Sequence, residues 1–334
     1  MSLPLVSVVV LNWRDSEATL ACLRALDATE YANLRVVVVD NASTDGSVET
    51  LARMDAVELL RNNFNLGFTG GVNTGLYHAM QRDADYVWIL NSDATVRPDV
   101  LGKLVAAAEA DPRIGLVSPV FHDPDRPDTP EFCLGRFDPR ARYASQTDNP
   151  ATAADWQTNH PDQVLLLGTA LLVRRSLFAA IGGLDEAFFA YVEDVDYSLR
   201  SLAAGFRNVA VPDAVVYHKF KQPAADPASC PPYLHYFMSR NYLLLWRKLA
   251  GPVLLQKPAV WFLRQRLVQI QRMPGQAAAI DALLAGLWDG VRGVSGPYDP
   301  ARRMPWPLRS LLGGRPDFWI RLLDGKLPFG TRIP

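Results

Sequence analysis

The sequence predicts an α/β fold: a mostly parallel central sheet flanked by helices, followed by a helical C-terminal extension. Three observations carry this expectation. Val6–Leu11 and Arg35–Val39 are unbroken, β-branched runs, as in strands buried on both faces. A helix-like segment lies between them, which makes a strand–helix–strand unit with a right-handed crossover. Beyond a Pro-rich linker at 221–232 the chain reads as helices.

The first strand ends at Asn12-Trp13, and a helix runs from Asp15 or Ser16 as N-cap to about Ala28. The second strand stops at Asp40-Asn41-Ala42-Ser43-Thr44-Asp45-Gly46. A third is expected at Val57–Leu60. After it, an Asn- and Gly-rich stretch from Asn62 to Gly75 leads into a helix through Tyr77 and Met80. Tyr86–Leu90 is a fourth strand, halted by Asn91-Ser92-Asp93. Pro98 to about Asp111 reads as a helix with proline near its first turn, and Ile114–Phe121 as a strand. In 122–162 periodicity fades among Pro, Asp, Asn and Thr, which suits a long functional loop or insertion. Val164–Val173 returns as one strand. From Val192 the apolar residues Val192, Val195, Leu199 and Leu202 recur at helical spacing, and Val209–Lys219 is a late strand. Helices are expected at Tyr233–Leu249, Pro258–Arg272 and Gln276–Val291, before a wrapping tail. Two domains follow from this reading, 1–225 and 226–334.

At 334 residues, 49% of them apolar, the chain has ample core and no mark of disorder. Cys22, Cys133 and Cys230 fit neither a zinc site nor a disulfide framework and suit the cytoplasm. No signal-peptide pattern opens the chain, and Arg247, Lys248 and Lys257 interrupt the longest apolar stretch, so a soluble or peripheral protein is expected. The net charge of −1 conceals a division into +10 after residue 234 and −11 before it. An anionic membrane surface at the inner face of the cytoplasmic membrane, a phosphate-bearing acceptor, or a docking or homodimer contact would each suit the basic part. Trp246, Trp261 and Trp288 lie among its arginines. Nucleic acid is disfavoured, because the basic residues follow no nucleic-acid motif.

Polar clusters directly follow successive strands, and in an open α/β sheet ligands bind at the carboxyl ends of the strands. Asp40 with Asn12 outlines a nucleoside pocket; Asx-turn chemistry explains the same residues. The glycines from Gly67 to Gly75 would let backbone amides approach a phosphate, although they match neither the P-loop nor the dinucleotide fingerprint. Asn91-Ser92-Asp93 suits a hard divalent cation, with His218 either a second ligand or an ordinary strand-end histidine. In Gly182–Arg200, Asp194 falls beside Tyr191 and Ser198 and can face a cleft. Asp196 and Arg200 are spaced for a helix-face ion pair of about 0.2–0.5 kcal/mol. Acids at a helix start also favour the macrodipole, which accounts for one or two of them.

Val6–Trp13, Val37–Gly46, Asn65–Phe68, Asn91–Asp93 and Gly182–Arg200, with Arg240-Asn241, occur in the order and spacing of the family 2 glycosyltransferases. Over about residues 4–245 the chain resembles their bacterial rhamnosyltransferase-like and galactofuranosyltransferase-like branch. The resemblance implies the GT-A fold, a Rossmann-like sheet, and inverting transfer of a sugar from a nucleotide diphosphate donor. The donor it implies is dTDP-rhamnose, or alternatively a UDP-sugar. The acceptor it implies is a surface polysaccharide or lipid-linked glycan, with 122–162 on the acceptor side. By the same resemblance Asp40 holds the base with Asn12, Asn41, Ser43, Asn65, Gly67, Asn73, Asn91 and Ser92 around the donor, Asp93 binds Mg²⁺ or Mn²⁺, and Asp194 is the general base beside Glu193. Phe188, Phe189 and Tyr191 would wall the acceptor site. The chain departs from the pattern in two places. Asn91 and Ser92 stand where the family often has a second aspartate or a proline, so coordination would rest on Asp93, His218 and water. Lys219-Phe220-Lys221 replaces the Gly and Ser that commonly follow the late histidine, and Lys219 or Lys221 would meet the diphosphate. A nucleotidyltransferase lacks support, since no glycine- and basic-rich loop follows the first strand. An intact Glu193-Asp194 and Asp93 argue against a non-catalytic binding protein.

Overall fold

The computed structural model describes residues 3–54, 57–138, 143–220, 230–251 and 257–323. The chain forms two compact units, Met1–Phe220 and Lys221–Pro334.

In the first unit β1 (Val6–Asn12), α1 (Ser16–Asp27), β2 (Leu34–Asp40), α2 (Ser47–Leu51), β3 (Glu58–Arg61), α3 (Gly67–Gln81) and β4 (Tyr86–Asn91) build the parallel half of the sheet. Then come β5 (Thr95–Val96), α4 (Val100–Glu109), β6 (Ile114–Asp123), β7 (Arg126–Phe132), β8 (Leu134–Asp138), β9 (Tyr143–Thr147), α5 (Pro150–Asn159), β10 (Val164–Leu165), β11 (Ala170–Arg174), α6 (Arg175–Ile181), α7 (Glu193–Ala203) and β12 (Arg207–Tyr217). Among the described residues the main sheet has the order β3-β2-β1-β4-β11-β6-β12-β5, with β7 added beside β6. β11 runs antiparallel between β4 and β6, while β12 is parallel to β6. The sheet is therefore mixed, with β1, β2, β3, β4, β6 and β12 sharing one direction and β5, β7 and β11 opposed to them.

The valine runs form strands because both of their faces are covered. Val6, Val8 and Val10 pack with Leu23 and Leu26 of α1 and Leu101 and Leu104 of α4, while Val9 packs with Leu76 and Ala79 of α3 on the other side. Each fully buried valine contributes roughly 1.5–3 kcal/mol of transfer free energy. Asp15 caps α1 by accepting from the Ala18 amide, as its position before the apolar pattern predicts.

Three expectations need correction. Residues 122–162 are not a structureless loop: β7 pairs with β6, and β8, β9 and β10 form a second, antiparallel sheet. Periodicity fades there because β7 is an exposed edge strand carrying Pro127 and Pro130, where a missing amide donor is tolerated. Val164–Val173 is two strands, since the chain leaves the small sheet at Leu165 and enters the main one at Ala170. Of the stripe Val192, Val195, Leu199 and Leu202 only Val192, the residue before α7, is buried; the other three are half-buried. Within the helix the buried positions are Glu193, Asp196, Tyr197, Ser198 and Ser201, a largely polar face on which Tyr197 donates to Gly182 O, Ser198 to Leu166 O and Arg200 to Asp196.

The second unit contains α8 (Pro232–Ala250), α9 (Lys257–Gln271), α10 (Ala277–Arg292), α11 (Trp306–Gly313) and α12 (Pro316–Leu323). Gly286 and Gly290 of α10 lie against the backbone of α8 at Tyr236 and Arg240, where a Cβ would not fit. Arg240 is fully buried, with its guanidinium 5.2 Å from the Tyr236 ring and 4.9 Å from the Phe237 ring. The expected wrapping tail includes the two short helices α11 and α12. Trp246 is buried in the core of this unit and Trp288 packs against it, so of the three tryptophans singled out only Trp261 is exposed. Among the described residues no helix is long and apolar enough to cross a membrane.

Candidate active site

The parallel pairing of β1 and β2 sets Asn12 opposite Asp40 at the carboxyl edge of the sheet. Asn12 Nδ2 donates to Asp40 Oδ2 at 2.8 Å, and the Ser43 amide donates to Asp40 Oδ1 at 2.9 Å. Thr19 Oγ1 donates to Asn12 Oδ1 at 2.7 Å, which fixes the amide's orientation. Ser43 Oγ accepts from Asn12 Nδ2 and from the Arg14 amide. Arg14 and Ala42 both take left-handed φ where these two strands end. The turn chemistry and the rigid carboxylate are one arrangement: Asp40 is held by its own turn.

Asn41, Asn65, Gly67 and Asn73 serve the scaffold. Asn41 Nδ2 donates to Asn65 Oδ1 and Gly67 O, while its Oδ1 accepts from Asn62 Nδ2 and the Leu66 amide. Asn65 Oδ1 also takes the Gly67 amide, and the Thr69 amide donates to Phe189 O. These amides at the start of α3 are thus committed within the protein rather than open to a phosphate. Gly67 has φ +74°, and a Cβ there would lie 2.6 Å from Cγ of Phe189, so only glycine fits. Asn73 Nδ2 donates to Leu184 O and Glu186 Oε1, and its Oδ1 accepts from the Leu184 amide. Both residues brace the segment that leads into α7.

That segment is strained: Phe189, Tyr191 and the β-branched Val192 have φ of 64°, 69° and 72°. Such residues cost on the order of 1–3 kcal/mol each and persist where the surroundings over-determine them. The Asp196–Arg200 pair belongs to the same bracing. Arg200 Nε meets Asp196 Oδ2 at 2.8 Å, and its other nitrogens donate to Ile181 O and Gly183 O. With Asp196 buried, this is a bracket that fixes the turn before α7, not the surface pair the spacing predicts. Phe188 is buried in the fold and does not wall a cleft; Phe189 and Tyr191 are half-buried.

Asp194 occupies the first turn of α7. The Gly168 amide donates to its Oδ2 at 3.2 Å and the Val195 amide to its Oδ1 at 2.8 Å. One residue on, Thr169 O accepts from the Asn91 amide at 2.8 Å. The short 168–169 loop thus joins the α7 carboxylate to the end of β4. Gly168 and Thr169 escaped the sequence reading because they sit inside an apolar run; the glycine interrupting that run is the signal that marks them.

Burial raises the Asp194 carboxyl above the ordinary range, opposed by the Gly168 and Val195 amides. Glu193 is pushed up further, by burial first and then by the charge on Asp194, and its Oε2 has no hydrogen-bond partner. Both carboxyls are thus raised, Glu193 well above the ordinary carboxylate range. A carboxyl raised in the folded state contributes stability that is fully present below its unfolded pKa and is lost as pH rises toward the folded value. Glu193→Gln, which has no such loss, is expected to melt at a higher temperature than the wild type near neutral pH. The difference should shrink as pH falls through the ordinary carboxylate range, as read by thermal melts across pH.

At the end of β4, Asp93 Oδ1 lies 3.2 Å from His218 Nε2, just past β12. Asn91 Oδ1 nearby in sequence is a buried acceptor without a partner, and His218 Nδ1 is likewise unpartnered. One carboxylate and one imidazole nitrogen at this separation, with an idle amide oxygen on the same strand end, fit a divalent cation that draws its remaining ligands from phosphate and water. Among the described residues no group of three or more His, Cys, Asp or Glu gathers for a metal, so any coordination relies on few protein ligands. Ser92 lies half-buried between Asn91 and Asp93. Lys219 is exposed and paired with Asp125, whose carboxylate competes for it; Lys221 lies outside the described residues.

The family profile described as Glycosyl transferase family 2 matches residues 7–180. An N-acetylglucosaminyl-diphospho-decaprenol L-rhamnosyltransferase of Mycobacterium tuberculosis is 35% identical, over 68% of this chain and 79% of the relative. The galactofuranosyltransferase GlfT1 of the same species is 30% identical over 67% of this chain and 73% of its own length. The dTDP-rhamnosyl transferase RfbF of Shigella flexneri is 23% identical over 79% and 88%. Among solved structures, the mannosyltransferase PcManGT from Pyrobaculum calidifontis, in complex with GDP-Man and Mn²⁺, superposes with a TM-score of 0.55 at 20% identity, covering 97% of this chain and 85% of that one. Staphylococcus aureus TarS 1-349 in complex with UDP gives 0.51 at 14% identity, covering 99% and 93%. At these identities the structural likeness speaks for the fold.

Proposed function

The chain belongs to glycosyl transferase family 2, and from that premise we propose that it moves a rhamnosyl group from dTDP-rhamnose to a hydroxyl of a lipid-linked or polysaccharide glycan, with inversion. The observation that carries this reading is the bridge Asp194–Gly168–Thr169–Asn91, which couples a half-buried carboxylate to the strand end bearing Asp93. Asp194 is assigned as the base that takes the acceptor's hydroxyl proton as that oxygen attacks. Asn12, Asp40 and Ser43 are assigned to the nucleoside end of the donor. Asp93 and His218 would hold Mg²⁺ or Mn²⁺, which when bound supplies charge neutralisation for the departing diphosphate. Glu193 tunes Asp194 from behind, and Phe189 and Tyr191 line the acceptor side.

The sugar and nucleotide rest on the relatives: the rhamnosyltransferase matches at higher identity than the galactofuranosyltransferase. A thermal-shift screen of dTDP-rhamnose, UDP-galactofuranose and other UDP-hexoses, each with Mg²⁺ or Mn²⁺, tests the assignment. Stabilisation is expected first with dTDP-rhamnose and metal. Stabilisation by a UDP-sugar alone transfers the assignment to that donor.

A further inference from the structure

Ser198 lies one turn after Asp194 on α7 and is fully buried, at a helix-interior position where alanine has the higher propensity. Its hydroxyl is engaged twice by one residue: Oγ accepts from the Leu166 amide at 3.1 Å and donates to Leu166 O at 3.4 Å. Asn208, near the start of β12 and also buried, donates through Nδ2 to Val164 O at 2.8 Å and to Ser198 O at 3.0 Å. Two residues beyond Leu166 the Gly168 amide reaches Asp194 Oδ2. Four residues of helix rise about 6 Å, and two residues of extended chain cover about 6.6 Å. The chain from Val164 to Gly168 thus lies along α7 with matched spacing, Leu166 on Ser198 and Gly168 on Asp194. Gly168 has no side chain to anchor it. It is held from one side by Thr169 O on the Asn91 amide and from the other by Ser198 and Asn208.

We propose that Ser198 and Asn208 are positioning residues for the transfer reaction: they clamp 164–168 against α7, so that the Gly168 amide stays aimed at Asp194 Oδ2 and the carboxylate is held toward the acceptor hydroxyl. This deepens the reading of Asp194 as the base and rests on it. Without the clamp the carboxylate loses its outer hydrogen bond and its fixed orientation. The Gly168 amide also opposes the rise that burial imposes on Asp194, so its departure moves that carboxyl further up. The charged groups about Asp194 are Glu193 and Asp196 of its own helix, Asp196 tied to Arg200, while 164–169 carries none.

Ser198→Ala and Asn208→Ala test the clamp, each through single-turnover transfer across pH, donor titration and hydrogen exchange over 164–169. Transfer is expected to slow by about 10–100-fold with donor affinity unchanged, because a catalytic group displaced by about 1 Å loses that much rate. The acid limb of the rate profile should move to higher pH, and the 164–169 amides should exchange faster. Added to Asp194→Asn, Ser198→Ala should cost nothing further, since its effect passes through the carboxylate. A role in stability alone would lower the melting temperature and leave the rate per folded molecule and the acid limb where they are. That result overturns the proposal, as does a full additional loss in the double variant. Asn208→Ala is read by the same criteria should Ser198→Ala not fold. Full transfer by Asp194→Asn alone is a different failure: it removes the base assignment itself, and the clamp's catalytic role with it.

Discussion

Asp194→Asn is expected to lower the transfer rate by about 10²–10⁴-fold, the span a positioned general base contributes, while donor affinity stays nearly unchanged. The asparagine side chain keeps an oxygen to accept the Gly168 and Val195 amides, so the 168–169 loop and the β4 end it supports should stay in place. What it cannot do is take a proton. A burial-raised carboxyl also places the acid limb of the wild-type rate profile above the ordinary carboxylate range, with activity rising as Asp194 ionises. Single-turnover transfer and donor titration on the same samples check both halves. Substantial residual transfer would move the base to Glu193, whose neutral state the geometry otherwise favours.

The strand ends were legible in the sequence because their logic is local. A β-branched run followed by Asn12-Trp13, Asp40-Asn41 or Asn91-Ser92-Asp93 announces where a buried strand meets solvent, and those residues do gather at the carboxyl edge. The Asp93–His218 approach was also anticipated, since both close strands. What escaped depends on partners far away in the chain. Nothing near Asn73 says that it meets Leu184, or that Gly67 makes room for Phe189; both look like donor-loop residues until the loop before α7 is in place. α7 misled in another way. Its apolar spacing suggested the buried face, but carbonyls at Gly182 and Leu166 lie against the helix, and Tyr197 and Ser198 turn inward to donate to them while Asp196 accepts from Arg200. Edge strands such as β7 hide for a related reason: with all but Phe132 exposed or half-exposed, β7 has no buried face to impose the alternation by which strands are read.

Asp93→Ala is expected to abolish the gain in donor affinity that Mg²⁺ or Mn²⁺ confers. Asp93 is exposed, so the substitution opens no cavity in the core, and the group it leaves without its carboxylate is the buried His218 Nε2 at the rim of the site. His218 is held by the hydrogen bond its backbone amide donates to His122 O and by the Phe220 ring 4.4 Å away, and it would keep its place without its partner. Neutral imidazole on its own is a poor match for a hard cation, which prefers oxygen, so loss of the carboxylate should not be made good by the histidine. Changing groups that merely orient a metal's ligands costs about 10–100-fold in affinity or activity, and removing a ligand should cost at least as much. Donor titration by calorimetry with and without metal reads the effect: the two wild-type isotherms should differ and the two Asp93→Ala isotherms should coincide. A variant that keeps the full metal-dependent gain places the cation elsewhere along the strand ends and removes Asp93 from the donor site.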